Sequence, residues 1–266
     1  MIQTLDRTIQ VLNESSKDKE FIETGFPKLN SFLDGGFLRK ELVVIGGASG
    51  SGKSFLAGQI AENVAHNGFK TIYFSLEISN ETVLSRIIGQ KTDLKAVRIM
   101  CNLLTPEEKE RKEQAEAELS PSNPFLHLSD SIYKMEEIAN VMKKGKYEFV
   151  VVDFIQNVMT KKKDEYSSLT FVALELQRLA KECNSCVLVL SQLSNSANKG
   201  GENLEYKGSG GIVQVTDLGF KIKREPFPAT TMVLELKKNR RGTYGQTDLI
   251  MDGAGCLIKE KNEYQR

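Results

Sequence analysis

The chain has 266 residues, 40% hydrophobic and 27% charged, the balance of a soluble globular protein with ample core. Lys and Arg number 36 against 35 Asp and Glu, a net charge of +1, which argues against a protein that coats nucleic acid by bulk charge and leaves room only for a local basic track. No apolar run approaches the roughly 18 residues of a membrane span, residues 1–7 do not read as a signal peptide, and four cysteines in so long a chain form no disulfide framework, so a reducing, cytoplasmic setting without membrane contact is expected.

In chain order, residues 1–20 stand apart. Ile2, Leu5, Ile9 and Leu12 make an apolar stripe on a short helix. Such a helix is marginal alone and should pack on its own core or on a neighbouring subunit. It is read as an N-terminal, linker-like helix, and 21–266 as one α/β domain. From Glu41 strands and helices alternate. Strands are expected at Leu42–Ile45, Thr71–Ser75, Phe125–Leu128, Phe149–Val152 and Val187–Leu190. Helices are expected at Lys53–His66, Asn80–Ile88, Pro106–Leu119, Met135–Lys144 and Leu169–Glu182. Thr105, Pro106 and Glu108 supply a capping residue, a first-turn proline and an acidic third position. After Gly211 come four more strand patterns: Leu218–Lys223, Thr231–Lys237, Thr247–Met251 and Cys256–Ile258. The alternation implies a mostly parallel twisted sheet with helices on both faces, and the late strands an antiparallel extension at one edge.

The strongest chemical signal is Gly47-Ala48-Ser49-Gly50-Ser51-Gly52-Lys53-Ser54, a full G-x-x-x-x-G-K-[ST] between a buried strand and a helix. Its glycines let backbone N–H groups cradle phosphate oxygens at a helix N-terminus. Lys53 would reach the β- and γ-phosphates of an NTP such as ATP, and the Ser54 hydroxyl would hold Mg²⁺. Asp153, ending the apolar strand from Phe149, is where a second metal partner belongs. Glu77 and Gln192 end two further strands on the same edge, placed to activate water and to sense the γ-phosphate.

These pieces together resemble the motor domain of DnaB-type replicative helicases, a RecA-like branch of the P-loop ATPases. The resemblance runs from about Thr24 to Met251. It is carried by Thr24-Gly25-Phe26, Phe74-Ser75-Leu76-Glu77-Ile78-Ser79, Asp153-Phe154-Ile155-Gln156, Ser191-Gln192-Leu193-Ser194, Ser209-Gly210 with Ile212, Gln214 and Asp217, and Lys238-Asn239-Arg240-Arg241-Gly242. It implies an ATP-hydrolysing DNA helicase that forms a ring, typically of six subunits, and translocates on single-stranded DNA. It makes Glu77 and Gln192 catalytic, and Arg240 an arginine finger that, assisted by Lys238, completes a neighbouring subunit's site. It puts DNA contacts in two loops, at Lys161, Lys162 and Lys163 and at Lys199, Lys207, Gly208 and Gly210. Primase and loader proteins are further implied partners. This chain departs from the family in four places, one of them the segment from Asp93 to Ser122, which is charged and weakly matched. About 20 residues stand where replicative members carry a whole N-terminal domain. Gly208 replaces a residue that is often acidic. The phosphate loop is unusually rich in Gly and Ser.

Two other readings remain open at this level: a recombination ATPase forming filaments on DNA, and a clock-type assembly ATPase that ignores DNA. Cys183-Asn184-Ser185-Cys186 follows a helix rather than opening one, so its thiols are expected to be structural. His127, Tyr73 and Phe74 are read as strand or core residues.

Overall fold

A computed structural model describes residues 4–6, 8–9, 21–119, 124–162, 164–193, 210–224 and 230–261. Nine strands form one sheet: β1 Leu42–Gly47, β2 Thr71–Ser75, β3 Leu126–Ser129, β4 Phe149–Asp153, β5 Cys186–Gln192, β6 Leu218–Arg224, β7 Thr231–Asn239, β8 Gly245–Asp252 and β9 Leu257–Glu260. Their order is β3-β2-β4-β5-β1-β6-β7-β8-β9. β1 to β5 are mutually parallel; β1, β4 and β5 have the continuous apolar sequences of strands buried on both faces, while β3, at the edge, is half-buried.

Each face of the sheet has its own core. Val43 and Ile45 of β1, with Phe149 and Val151 of β4, pack towards the helices Lys53–His66 and Asn80–Thr92. Leu42, Val44, Val150 and Val152 point the other way, against Met135–Gly145 and Glu165–Glu182. The alternation of side chains along a strand therefore divides every apolar run between two helical layers.

The antiparallel edge is shorter than the sequence suggests. β6, the first of the late strands, runs parallel to β1, with Val43 opposite Leu218 and Gly47 opposite Ile222. The helix Gly210–Val215 precedes it, so the chain re-enters from the edge at which β1 starts. Only β7, β8 and β9 are antiparallel. The helix expected from Leu169 begins four residues earlier, where the Asp164 side chain caps it by accepting from the Ser167 N–H at 2.8 Å. The helix Pro106–Leu119 starts on the expected reciprocal cap: Glu108 N–H donates to the Thr105 hydroxyl at 3.3 Å and Thr105 N–H to the Glu108 carboxylate at 2.8 Å. Of the N-terminal stripe, Leu5 and Ile9 are described; they are helical and 75% and 46% exposed, so they are not buried on this domain. Ile2 and Leu12 lie outside the described residues.

Arg241 locks the sheet to the segment that precedes it. Its guanidinium pairs with Glu41 through Nε at 2.9 Å and through Nη2, and donates to the Leu33 and Gly36 carbonyls at 2.7 and 2.9 Å. Arg241→Ala strands a largely buried carboxylate and two carbonyls. It is expected to lower unfolding stability by roughly 3 kcal/mol, read as a lower urea midpoint at unchanged slope.

Candidate nucleotide-binding and catalytic site

The phosphate loop joins β1 to the helix Lys53–His66 at the edge where the parallel strands end. Gly52 caps that helix with φ +92°, a left-handed conformation in which a Cβ would also lie 2.9 Å from the Met232 sulfur. A Cβ on Gly47 would fall 2.5 Å from Ile222 and 2.6 Å from the Ser51 hydroxyl, so the loop closes against β6 only because this position is glycine. The Lys53 ammonium folds back onto the loop, donating to the Gly47 and Ala48 carbonyls at 2.9 and 2.7 Å. Burial lowers the Lys53 pKa, while Asp153 and Glu77 act to raise it. The Ser51 hydroxyl is buried without a hydrogen-bond partner among the described residues.

A cleft of about 220 Å³ opens here, lined among others by Ser49 to Ser54, Glu77, Asp153 and Gln192. Four separate strand ends thus converge as expected. Asp153 is 2% exposed, and burial pushes its carboxyl up in pKa, opposed by hydrogen bonds from Tyr73 and Ser54 and by the charges of Lys53 and Arg86. Glu77 follows β2, on a turn fixed by the Ser75 hydroxyl donating to Ile78 O at 2.6 Å and by Asn157 donating to Leu76 O at 2.8 Å. Ser79 caps the helix Asn80–Thr92, which leaves the Glu77 carboxylate free of that duty. Gln192 lies opposite Gly47 in the β1–β5 register, next to Ser191, whose hydroxyl accepts from Gln156 at 2.9 Å.

The donor set fits a magnesium ion. Ser54 and Asp153 offer hard oxygens, and magnesium is commonly held by one or two protein oxygens together with phosphates and waters. Among the described residues there is no cluster of three or more His, Cys, Asp or Glu that could cage a metal unaided.

Two cleft residues have no counterpart in the motif reading. Arg86, on the helix Asn80–Thr92, lies over the Phe55 ring at 4.6 Å and faces Asp153 across the cleft. Its charge is offset by no ion pair among the described residues. Arg224 ends β6 and lines both the cleft and a neighbouring hollow of about 270 Å³ beside Ala48 to Ser51. Neither lies in a recognisable motif; the period of the helix Asn80–Thr92 and the end of the last parallel strand are the signals that could have found them. The two thiols behave as expected: burial pushes Cys183 up in pKa and Cys186 well above the ordinary thiol value, and both are free.

Lys238 and Arg240 are not in this cleft. In the β6–β7 register Lys238 lies opposite Gly219, at the edge of the sheet where β1 begins. Arg240 donates to Asp217 Oδ1 at 2.7 Å and to Gln214 O at 2.9 Å, and Lys238 donates to the Val213 and Gln214 carbonyls. Asp217 in turn accepts from Leu42 N–H at 2.9 Å. Leu42 and Gly47 are the two ends of β1, so roughly 16 Å of strand separates these cations from their own phosphate loop.

The loop lysines are only partly described. Lys161 is exposed and pairs with Glu136 at 3.1 Å, and Lys162 lies over the Phe171 ring at 5.6 Å. Both border a groove with Arg178 between the helices Met135–Gly145 and Glu165–Glu182. Lys163, Lys199, Lys207 and Gly208 lie outside the described residues, and Gly210 opens the helix Gly210–Val215.

Sheet order, loop and converging carboxylates define an α/β nucleotide-binding domain of the RecA-like P-loop class. Residues 22–256 match the DnaB-like helicase C-terminal domain, and the chain belongs to that family. It is 28% identical over 257 residues to the replicative DNA helicase DnaB of Treponema pallidum (strain Nichols), covering 94% of this chain and 58% of that one. It is 26% identical over 282 residues to the DnaB of Geobacillus stearothermophilus, covering 99% and 60%. The chain therefore spans about three-fifths of the length of these curated relatives. A solved structure described as an ATPase domain superposes with TM-score 0.88 at 19% identity, covering 98% of this chain and 100% of that one. Another, a DnaB-like replicative helicase described with its interactions with primase, gives 0.83 at 20%, covering 98% and 68%. Among the described residues no helix is long and apolar enough to cross a membrane.

Proposed function

We propose that the chain is the ATP-hydrolysing motor of a DnaB-type DNA helicase, acting on single-stranded DNA as a ring of identical subunits. The observation that carries this reading is the split between the two edges of the sheet. Lys53, Ser54, Glu77, Asp153 and Gln192 share one cleft, while Lys238 and Arg240 lie at the opposite edge. A cation that stabilises charge on a transferring phosphoryl group must touch it, so these two can serve only another subunit's nucleotide.

In this scheme the loop N–H groups and Lys53 hold the phosphates. Ser54 and Asp153 would hold Mg²⁺, which when bound neutralises phosphate charge. Glu77 takes the proton of the attacking water, and Gln192 hydrogen-bonds the γ-phosphate. Arg86 faces the same phosphate from its own subunit. The neighbour's Arg240 offers a bidentate fork and Lys238 a point charge. DNA runs past Lys161, Lys162 and Lys163 and past Lys199, Lys207, Gly208 and Gly210, where lysines neutralise backbone phosphates without reading sequence. The exposed Leu5–Ile9 stripe packs on the adjacent subunit. Primase and loader proteins are partners of the assembled ring, and the setting is cytoplasmic.

Negative-stain imaging with single-stranded DNA and a non-hydrolysable ATP analogue tests the assembly: rings support the helicase reading, whereas open filaments or monomers overturn it. Arg86→Ala is expected to lower kcat by about 100-fold and to weaken ATP binding by less than tenfold, as read by steady-state hydrolysis beside fluorescent-nucleotide titration.

A further inference from the structure

Tyr73 is a core residue by every sequence criterion, with 1% exposure and both neighbours apolar. Its hydroxyl is nevertheless committed. It donates to Asp153 Oδ2 at 2.6 Å, the one hydrogen bond described for it. The sheet makes this contact possible. β2 and β4 pair in parallel with Ser75 opposite Asp153 and Tyr73 opposite Val151. Tyr73 is therefore the diagonal neighbour of Asp153 on the same face, within reach of a long aromatic side chain. Its ring lies under the first turns of the phosphate-loop helix, beside Ser54, Phe55 and Gly58.

We infer that Tyr73 is a positioning residue for the metal site: its phenol holds one oxygen of Asp153 so that the carboxylate keeps a fixed orientation toward Ser54 and a bound Mg²⁺. This rests on the reading of Asp153 as the metal carboxylate. Two hydroxyls converge on that carboxylate, Tyr73 from within the core and Ser54 from the loop. An ionised carboxylate accepts at both oxygens, so a bond at Oδ2 leaves acceptor capacity on the other. The terminal torsion of aspartate is broad and roughly two-fold, and nothing in its apolar strand would otherwise hold it. A buried phenol lends direction without adding a charge that would compete with the metal.

Tyr73→Phe removes one oxygen and keeps the ring. The test uses Mn²⁺ as the metal probe, its binding to the full chain followed by electron paramagnetic resonance with saturating ADP. Alongside it, ADP affinity is measured in EDTA and thermal midpoints are taken with and without metal. The expected result is Mn²⁺ affinity about tenfold weaker than in the parent chain, the scale of one hydrogen bond to a charged group, with metal-free ADP affinity unchanged. Equal Mn²⁺ affinity in the two chains overturns the inference. So does a loss of ADP affinity that is as large in EDTA as with metal, since that is the mark of a general structural role. Failure of the underlying reading looks different: the parent chain itself would then bind Mn²⁺ with ADP no better than Asp153→Asn does.

Discussion

Single-stranded DNA is expected to raise the ATP hydrolysis rate of this chain, and Lys53→Ala is expected to abolish both the basal and the stimulated rate. Lys53 is 9% exposed, and its ammonium is held by the Gly47 and Ala48 carbonyls. Those bonds keep a buried charge satisfied until a phosphate replaces them. Without the lysine the loop retains its N–H groups, and Arg86 and Arg224 are the cations left among the described residues that line the cleft. Loss of one preorganised charge-stabilising donor lowers kcat by about 100- to 1000-fold, and loss of a full cation should reach the upper end. Steady-state hydrolysis with and without saturating oligo-dT reads both effects. A rate indifferent to DNA would remove the DNA-motor reading and favour an assembly ATPase.

Arg240→Ala should reduce hydrolysis by about a thousandfold or more, the scale of an arginine finger, with nucleotide binding largely intact. Mixing it with Glu77→Ala should restore part of the activity. In an equal random mixture about a quarter of the interfaces of a closed ring pair an intact Glu77 with an intact Arg240. A finger acting within its own subunit predicts no rescue at any ratio. Arg241→Ala is the internal control. Arg240 is half exposed and joined to Asp217 by a surface ion pair, so its loss should change stability by less than about 1 kcal/mol. The adjacent Arg241 is the one whose loss should lower the urea midpoint.

That contrast illustrates what could be read from the residues alone. The phosphate loop is local, since its glycines and lysine act within eight positions, and it was fully legible. Strand existence was legible too, because parallel strands buried on both faces have continuous apolar sequences such as Phe149 to Val152. The convergence of Glu77, Asp153 and Gln192 followed from their common position at strand ends. Less could be said where function depends on partners distant in sequence. Arg240 and Arg241 are chemically identical neighbours, and only the hairpin's facing decides that one reaches Glu41 while the other turns to Asp217. Tyr73 reads as core until the β2–β4 register brings Asp153 within reach. Arg86 carries no motif; its place depends on how the helix Asn80–Thr92 rotates over the sheet. β6 looked like the others in the late β run because strand direction is set by where the chain re-enters, which strand composition does not encode.

The tethers of Lys238 and Arg240 have a mechanical meaning. Both side chains hold carbonyls at the end of the helix Gly210–Val215, and that helix begins where residues 194–209, with Lys199 and Lys207, leave off. A guanidinium that swings out to a neighbour's phosphate gives up Asp217 and Gln214, and the helix end loses a clasp at that moment. In the proposed ring, nucleotide arrival at one subunit would therefore loosen the end of the helix Gly210–Val215 in the next.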